Sequence, residues 1–255
     1  MDLRLPMHHA KGYTSASQIA RRVTESWGEE NLYCCACTKD ELTANPANTH
    51  VADYFCASCA EKYQLKGQRR WGESVLGSNY QKMMDAIRQD RTPNFFLLRY
   101  EVPIWEVRDL QLIPRFAISP SVIARRKPLA PSARRPNWVG YTLRIALVPT
   151  AAKIDLIING AEVDRREVRA KYEQITRLAS LPPESRGWTL DVLRVIENLP
   201  ARAFSNQEIY SFEFELAKLH PGNRNIRPKI RQQLQVLRDR GLIKQDKPGW
   251  WYRVT

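Results

Sequence analysis

The chain has 255 residues, is 43% hydrophobic and carries a formal charge of +13. That length allows one large domain or two smaller ones with packed cores, and the basic surplus points to a polyanionic partner, nucleic acid first. No run approaches the roughly 18 apolar residues needed to cross a bilayer, and Met1 to Ala10 contains no apolar segment of the secretory kind, so neither a membrane partner nor export is expected.

Ser15 to Trp27 reads as a first helix, capped by Ser15 or Ser17, with Ile19, Val23 and Trp27 on one face. Glu25 reads as an exposed helix acid and stays outside the candidate site. Cys34 and Cys37, then after eighteen intervening residues Cys56 and Cys59, form two Cys-x-x-Cys pairs with zinc-ribbon spacing. Five cysteines with four in tight pairs argue for metal in a reducing compartment rather than disulfides. Four thiolates satisfy tetrahedral Zn²⁺ and leave no open position, so the zinc is expected to be structural. Cys35 is left over, and His50 is a weaker substitute ligand.

Val51 to Cys56 and Lys62 to Lys66 read as strands of a hairpin tipped by the second cysteine pair. Gln64 and Lys66 are two apart and share a face, and Asp53 can be brought beside them. Such a trio suits phosphodiester hydrolysis assisted by a divalent metal. Asp53 is the hard-oxygen ligand. Gln64 supplies a second oxygen or positions a water. Lys66 orients or deprotonates the attacking water, or neutralises developing phosphorane charge. The pattern resembles that of the PD-(D/E)xK nuclease superfamily, with Ala52 where proline is frequent and Gln64 where most members carry Asp or Glu. The plainer reading is an amphipathic hairpin with an exposed lysine.

Gln68 to Asn79 reads as a mobile loop, and Ser78 as the cap of a helix running to about Gln89 with Tyr80, Met83, Met84 and Ile87 inward. Asn94 to Tyr100 is an apolar strand buried on both faces, followed by a strand over Val107 to Ile113. Leu110 to Ile154 contains no acidic residue. Within it, Arg125, Arg126, Lys127, Arg134 and Arg135 lie on a proline-rich segment expected to stay extended and to contact phosphate or guanine edges. Trp138 stacks on or wedges beside a base, or else enters the core. A strand over Lys153 to Ile158 and a charged helix over Glu162 to Leu178 complete the first domain.

Leu181 to Gly187 reads as a linker. Beyond it come a helix over Thr189 to Asn198, a capping box at Ser205 and Glu208 opening a second helix that ends near His220, and a third helix from Ile226 to about Arg240. Its inward stripe is Ile226, Ile230, Leu234 and Leu237, and Arg227, Lys229, Arg231, Gln232 and Arg238 face outward. A terminal hairpin over Leu242 to Val254 makes this a winged helix, with the third helix as DNA reader. Such modules also bind proteins.

The whole chain resembles the DpnI restriction endonucleases. The most specific stretches are Val51–Asp53 with Gln64–Lys66, Thr92–Phe96, Arg126–Gly140, Ser185–Thr189 and Ile230–Asp239. The resemblance implies an α/β (α+β) PD-(D/E)xK nuclease core with a four-cysteine zinc knuckle over residues 1–181, and a winged-helix domain over 182–255. It implies cleavage of both strands of duplex DNA at Gm6ATC, Mg²⁺ dependence, and a bacterial, cytoplasmic setting. In that mechanism Asp53, Gln64 and the Leu65 carbonyl hold Mg²⁺, Mn²⁺ being the substitute, and a monomer is expected. The alternative is a catalytically weak or inactive regulator that binds methyladenine DNA, which the neutral Gln64 favours.

Overall fold

A computed structural model describes residues 1–46 and 52–254. His50 and Val51, the start of the expected strand, lie outside the described residues. In chain order the elements are α1 (Ala16–Asn31), β1 (Thr43–Ala44), β2 (Tyr54–Phe55), β3 (Lys62–Gln68), β4 (Ser74–Asn79), α2 (Tyr80–Arg88), β5 (Asn94–Glu101), β6 (Glu106–Ile113), β7 (Ile123–Arg125) and β8 (Gly140–Arg144). They continue with β9 (Ile154–Ile158), β10 (Ala161–Glu162), α3 (Arg165–Thr176), α4 (Pro183–Glu197), β11 (Ala203–Ser205), α5 (Asn206–Tyr210), α6 (Glu213–Leu219), α7 (Ile226–Asp239), β12 (Ile243–Lys247) and β13 (Trp250–Arg253). Among the described residues no helix is long and apolar enough to cross a membrane.

Packing divides the chain into two compact units that do not follow chain order. One is Met1–Gly72, Arg91–Arg115 and Ala151–Thr176; the other is Glu73–Asp90, Phe116–Thr150 and Arg177–Thr255. A division at residue 181 therefore follows the order of the chain and not the packing.

The first unit is built on a mixed sheet in the order β1-β2-β3-β5-β6-β9-β10, with β3 and β5 parallel. The apolar run of β5 is its centre: Phe95, Phe96, Leu97 and Leu98 are all buried. Helix α1 continues past Trp27 to Asn31; Ser15 occupies its N-cap position, but its side chain makes no capping bond and its hydroxyl lies 2.9 Å from that of Ser17. The helix lies close on β2 and β3 because two glycines permit it. A Cβ on Gly28 would stand 2.3 Å from the Tyr54 hydroxyl oxygen, and one on Gly67 would stand 3.1 Å from Thr24. Tyr54 uses the approach to donate to the Glu25 carbonyl at 2.8 Å. The charged helix begins at Arg165 rather than Glu162, because the Asn159–Gly160 turn, at positive φ, folds Glu162 back to pair with Ile157.

The second unit holds two three-stranded sheets, β4-β8-β7 and β11-β13-β12. The segment expected to be a loop over residues 68–79 contains β3's last residue and the strand β4, in which Val75 pairs with Leu143. Helix α2 is capped by Asn79 rather than Ser78: the Asn79 side chain accepts the Lys82 N–H at 2.9 Å. The expected linker over 181–187 is largely the start of α4. Proline is tolerated in a first helical turn, and Glu184 there faces the positive end of the helix. Arg186, 2% exposed, clasps this start by donating to the Ala179 and Leu181 carbonyls at 3.2 and 3.0 Å and by pairing with Asp90. The capping box at Ser205 and Glu208 forms as expected, and the second helix is broken at Ser211–Phe212 into α5 and α6. On α7, Ile226, Ile230, Leu234 and Leu237 are buried. The unit thus carries helices closed by a β-hairpin, the winged-helix order.

Candidate active site

The β2–β3 register decides where the acid sits. Tyr54 pairs with Tyr63 and Phe55 with Lys62, which carries Asp53, one residue before β2, level with Gln64. The Asp53 N–H donates to the Tyr63 carbonyl at 2.9 Å, and its carboxylate accepts the Leu65 N–H at 2.8 Å. Along β3 the exposure alternates: Tyr63 and Leu65 are buried, whereas Gln64 and Lys66 are half-buried on the other face. Asp53 and Lys66 feel each other's charge. Burial pushes the Asp53 carboxyl up from its ordinary range, opposed by the Leu65 N–H and the Lys66 ammonium. Burial pushes the Lys66 ammonium down, opposed by Asp53. A backbone-held carboxylate beside an amine with weakened hold on its proton is thus what β2 and β3 bring together.

Helix α1 adds further charge beside Asp53. Glu25 acts electrostatically on both Asp53 and Lys66 and pairs with Arg21 at 2.7 Å. A cleft of about 150 Å³ is lined by Arg21, Arg22, Glu25 and Glu29 from α1 and by Asp53 with its neighbours. The i, i+3/i+4 spacing of these charges was the available signal; their nearness to Asp53 depends on the close seating of α1 at Gly28 and Gly67.

The Sγ atoms of Cys34, Cys37, Cys56 and Cys59 lie within 4.8 Å of one another. Cys34 to Cys59 is 3.5 Å and Cys37 to Cys56 is 3.6 Å, close to the roughly 3.8 Å separation that four Zn–S bonds of about 2.3 Å at tetrahedral angles require. This set could hold zinc. Each knuckle is closed by the backbone, Cys34 N–H to the Lys39 carbonyl at 3.1 Å and Cys56 N–H to the Glu61 carbonyl at 2.9 Å. Arg169 of α3 braces the first knuckle through the Cys34 and Lys39 carbonyls, each at 3.3 Å. Cys35 is buried, with its Sγ facing the Tyr33 carbonyl at 3.8 Å, and stays outside the cluster. Tyr63 ties the cysteines to the acid: its hydroxyl is 3.2 Å from Cys34 Sγ while its carbonyl holds Asp53.

The expected nucleic-acid contacts belong to the second unit. Arg125 ends β7, and Arg126, Lys127, Arg134 and Arg135 are exposed without an ion pair among the described residues. Their segment does not run extended. It folds back, with the Leu129 N–H donating to the Trp138 carbonyl at 3.0 Å and the Asn137 N–H to the Leu129 carbonyl at 3.2 Å. Trp138 is half-buried: its ring covers Gly140, where a Cβ would meet it at 2.9 Å, and it lines an open cavity of about 530 Å³ with Tyr80, Arg125 and Asn137. On α7, Arg227, Arg231, Gln232 and Arg238 are exposed and Lys229 is half-buried. Arg227 pairs with Glu213 at 2.7 Å, Arg231 donates to the Tyr210 hydroxyl at 3.0 Å, and Arg238 bonds Asp239 at 2.9 Å and Gln245 at 3.0 Å. Arg227, Arg231 and Arg238 form a stripe turned about 100° from the buried one.

Residues 1–181 match the profile of DpnI, the Dam-replacing family, and residues 184–253 match the Dam-replacing HTH domain. Membership implies methylation-dependent DNA restriction and a DNA partner. With both segments accounted for, the chain belongs to the DpnI, or Dam-replacing, family and has its C-terminal winged helix.

Proposed function

We propose that the protein is a methyl-directed (type IIM) endonuclease that hydrolyses duplex DNA at N6-methyladenine sites, Gm6ATC, as a monomer in a bacterial cytoplasm. Residues 1–181 supply a PD-(D/E)xK-type nuclease domain and residues 182–255 a DNA-reading winged helix. The observation that carries this reading is Asp53 bonded to the Leu65 N–H at 2.8 Å, level with Gln64 and within electrostatic reach of Lys66.

Asp53, Gln64 and the Leu65 carbonyl would hold Mg²⁺ or Mn²⁺, their oxygens matching a hard cation. The metal, when bound, supplies Lewis acidity at the phosphate being cut. Lys66 aligns the attacking water and takes or shares its proton. The cysteine cluster holds structural Zn²⁺ and keeps the β2–β3 tip in register. Arg125, Arg126, Lys127, Arg134, Arg135 and Trp138, together with Arg227, Lys229, Arg231, Gln232 and Arg238, supply affinity and methyl readout. An N6-methyl group adds about 0.8 kcal/mol when buried, a small discrimination for one pocket that two independent readers multiply.

The neutral Gln64 favours a second reading, a catalytically weak or inactive regulator that binds methyladenine DNA. Incubation with adenine-methylated and unmethylated plasmid in Mg²⁺ or Mn²⁺ separates the two. Cutting of methylated DNA alone supports the nuclease; a mobility shift without nicking supports the regulator.

A further inference from the structure

Helix α1 brings two adjacent arginines to the cleft beside Asp53, and they are held differently. Arg21 is committed to Glu25, Nε to Oε1 at 2.7 Å. Arg22 is half-buried, its Nε is shielded and has no hydrogen-bond partner, and it forms no ion pair among the described residues. Residues 47–51, which follow the cleft residues Asn45 and Pro46 in the chain, contain no acid that could serve it. A donor shielded from water without a partner, as the Arg22 Nε–H is, is unfavourable unless a ligand supplies an acceptor. The cleft it lines has the opposite problem, since Asp53, Glu25 and Glu29 repel an approaching phosphodiester.

We propose that Arg22 receives a phosphate of the bound DNA strand at the cutting site. The inference rests on the nuclease reading of Asp53, Gln64 and Lys66 and adds the group that offsets their charge toward substrate. The planar fork of arginine matches two phosphate oxygens at once, and the Nε of Arg22 is uncommitted where that of Arg21 is bonded to Glu25. Arg22 binds and does not move a proton, so its loss weakens DNA binding while leaving the pH profile set by Lys66 in place.

The test measures binding of the full-length protein to a short adenine-methylated duplex, without added Mg²⁺, across a salt series. Arg22→Gln is expected to weaken binding about tenfold and to reduce the slope of log K against log salt by about 0.9, the loss of one phosphate contact. A set of duplexes, each with one uncharged methylphosphonate, then locates that contact: at one position, flanking the bond that is cut, wild type and Arg22→Gln bind equally. Arg22→Lys, which keeps the charge and loses the fork, falls between them and serves if the glutamine variant does not fold. An unchanged slope, no methylphosphonate position that erases the difference, or an erasing position remote from the cut bond would overturn the proposal. Should wild type bind but cut nothing, the nuclease reading fails by itself, and the presence or absence of an erasing position still decides whether Arg22 holds a phosphate.

Discussion

Asp53 and Leu65 are joined by one hydrogen bond, carboxylate to main-chain N–H at 2.8 Å, and that bond fixes the acid to the strand whose neighbouring residues are Gln64 and Lys66. The other end of Asp53 is fixed by its own N–H on the Tyr63 carbonyl at 2.9 Å. The acid is therefore positioned by backbone groups, and its geometry depends on the β2–β3 register that the cysteine tip closes.

Lys66→Ala is expected to lower the cleavage rate by at least about a hundredfold, the usual scale for removing a positioned proton-transfer group, with binding of methylated duplex changed little. Single-turnover cleavage and a mobility shift on the same preparation check it. Cleavage within about tenfold of wild type, well short of that scale, contradicts the assigned role.

The lowered Lys66 value has a direction in pH. Cleavage rises with pH along a limb below the ordinary lysine value as the amine becomes able to accept a proton. Stability has its own sign: between the lowered folded value and the unfolded value, the unfolded chain holds a proton that the folded chain has released, so stability rises with pH across that interval. Asp53, raised on folding, acts in the opposite sense across its acid interval, where stability falls as pH rises. Lys66→Met should flatten the alkaline rise in Tm.

Gln64→Glu restores a carboxylate beside Asp53. The half-maximal Mg²⁺ concentration for cleavage should fall about tenfold or more, since one added charge near a cation at partly buried distance exceeds the roughly 1.4 kcal/mol that corresponds to a factor of ten. A metal titration of both proteins reads this, and an unchanged midpoint would place Gln64 outside the metal shell.

Cys56→Ser, or stripping of zinc by a chelator, should lower Tm by about 10 °C or more and remove cleavage with it, because metal-binding energy in such a site is folding energy. A well-folded, zinc-free and fully active Cys56→Ser protein contradicts the structural role given to the cluster.

Much of this architecture was written in local pattern. Cysteine spacing announced the cluster, the apolar run of residues 94–100 announced the central strand, and the stripe from Ile226 to Leu237 announced the third helix of the winged module. What stayed hidden depends on distant partners. Ser-Val-Leu-Gly-Ser-Asn, the sequence of β4, becomes a strand only by pairing with residues 140–144, and Gly77 there makes room for the Tyr141 ring. The Pro182–Pro183 pair looks like a break, yet proline suits a helix start. Glu25 and Arg22 join the site because Gly28 and Gly67 let α1 approach β2 and β3, a relation spread over distant parts of the chain.

The most direct measurement is a crystal of the protein with methylated duplex and Mn²⁺, located by its anomalous scattering. The expected result is a peak held by the Asp53 carboxylate, the Gln64 side-chain oxygen and the Leu65 carbonyl, with Lys66 beside it. A peak away from these groups, with DNA bound, would contradict it.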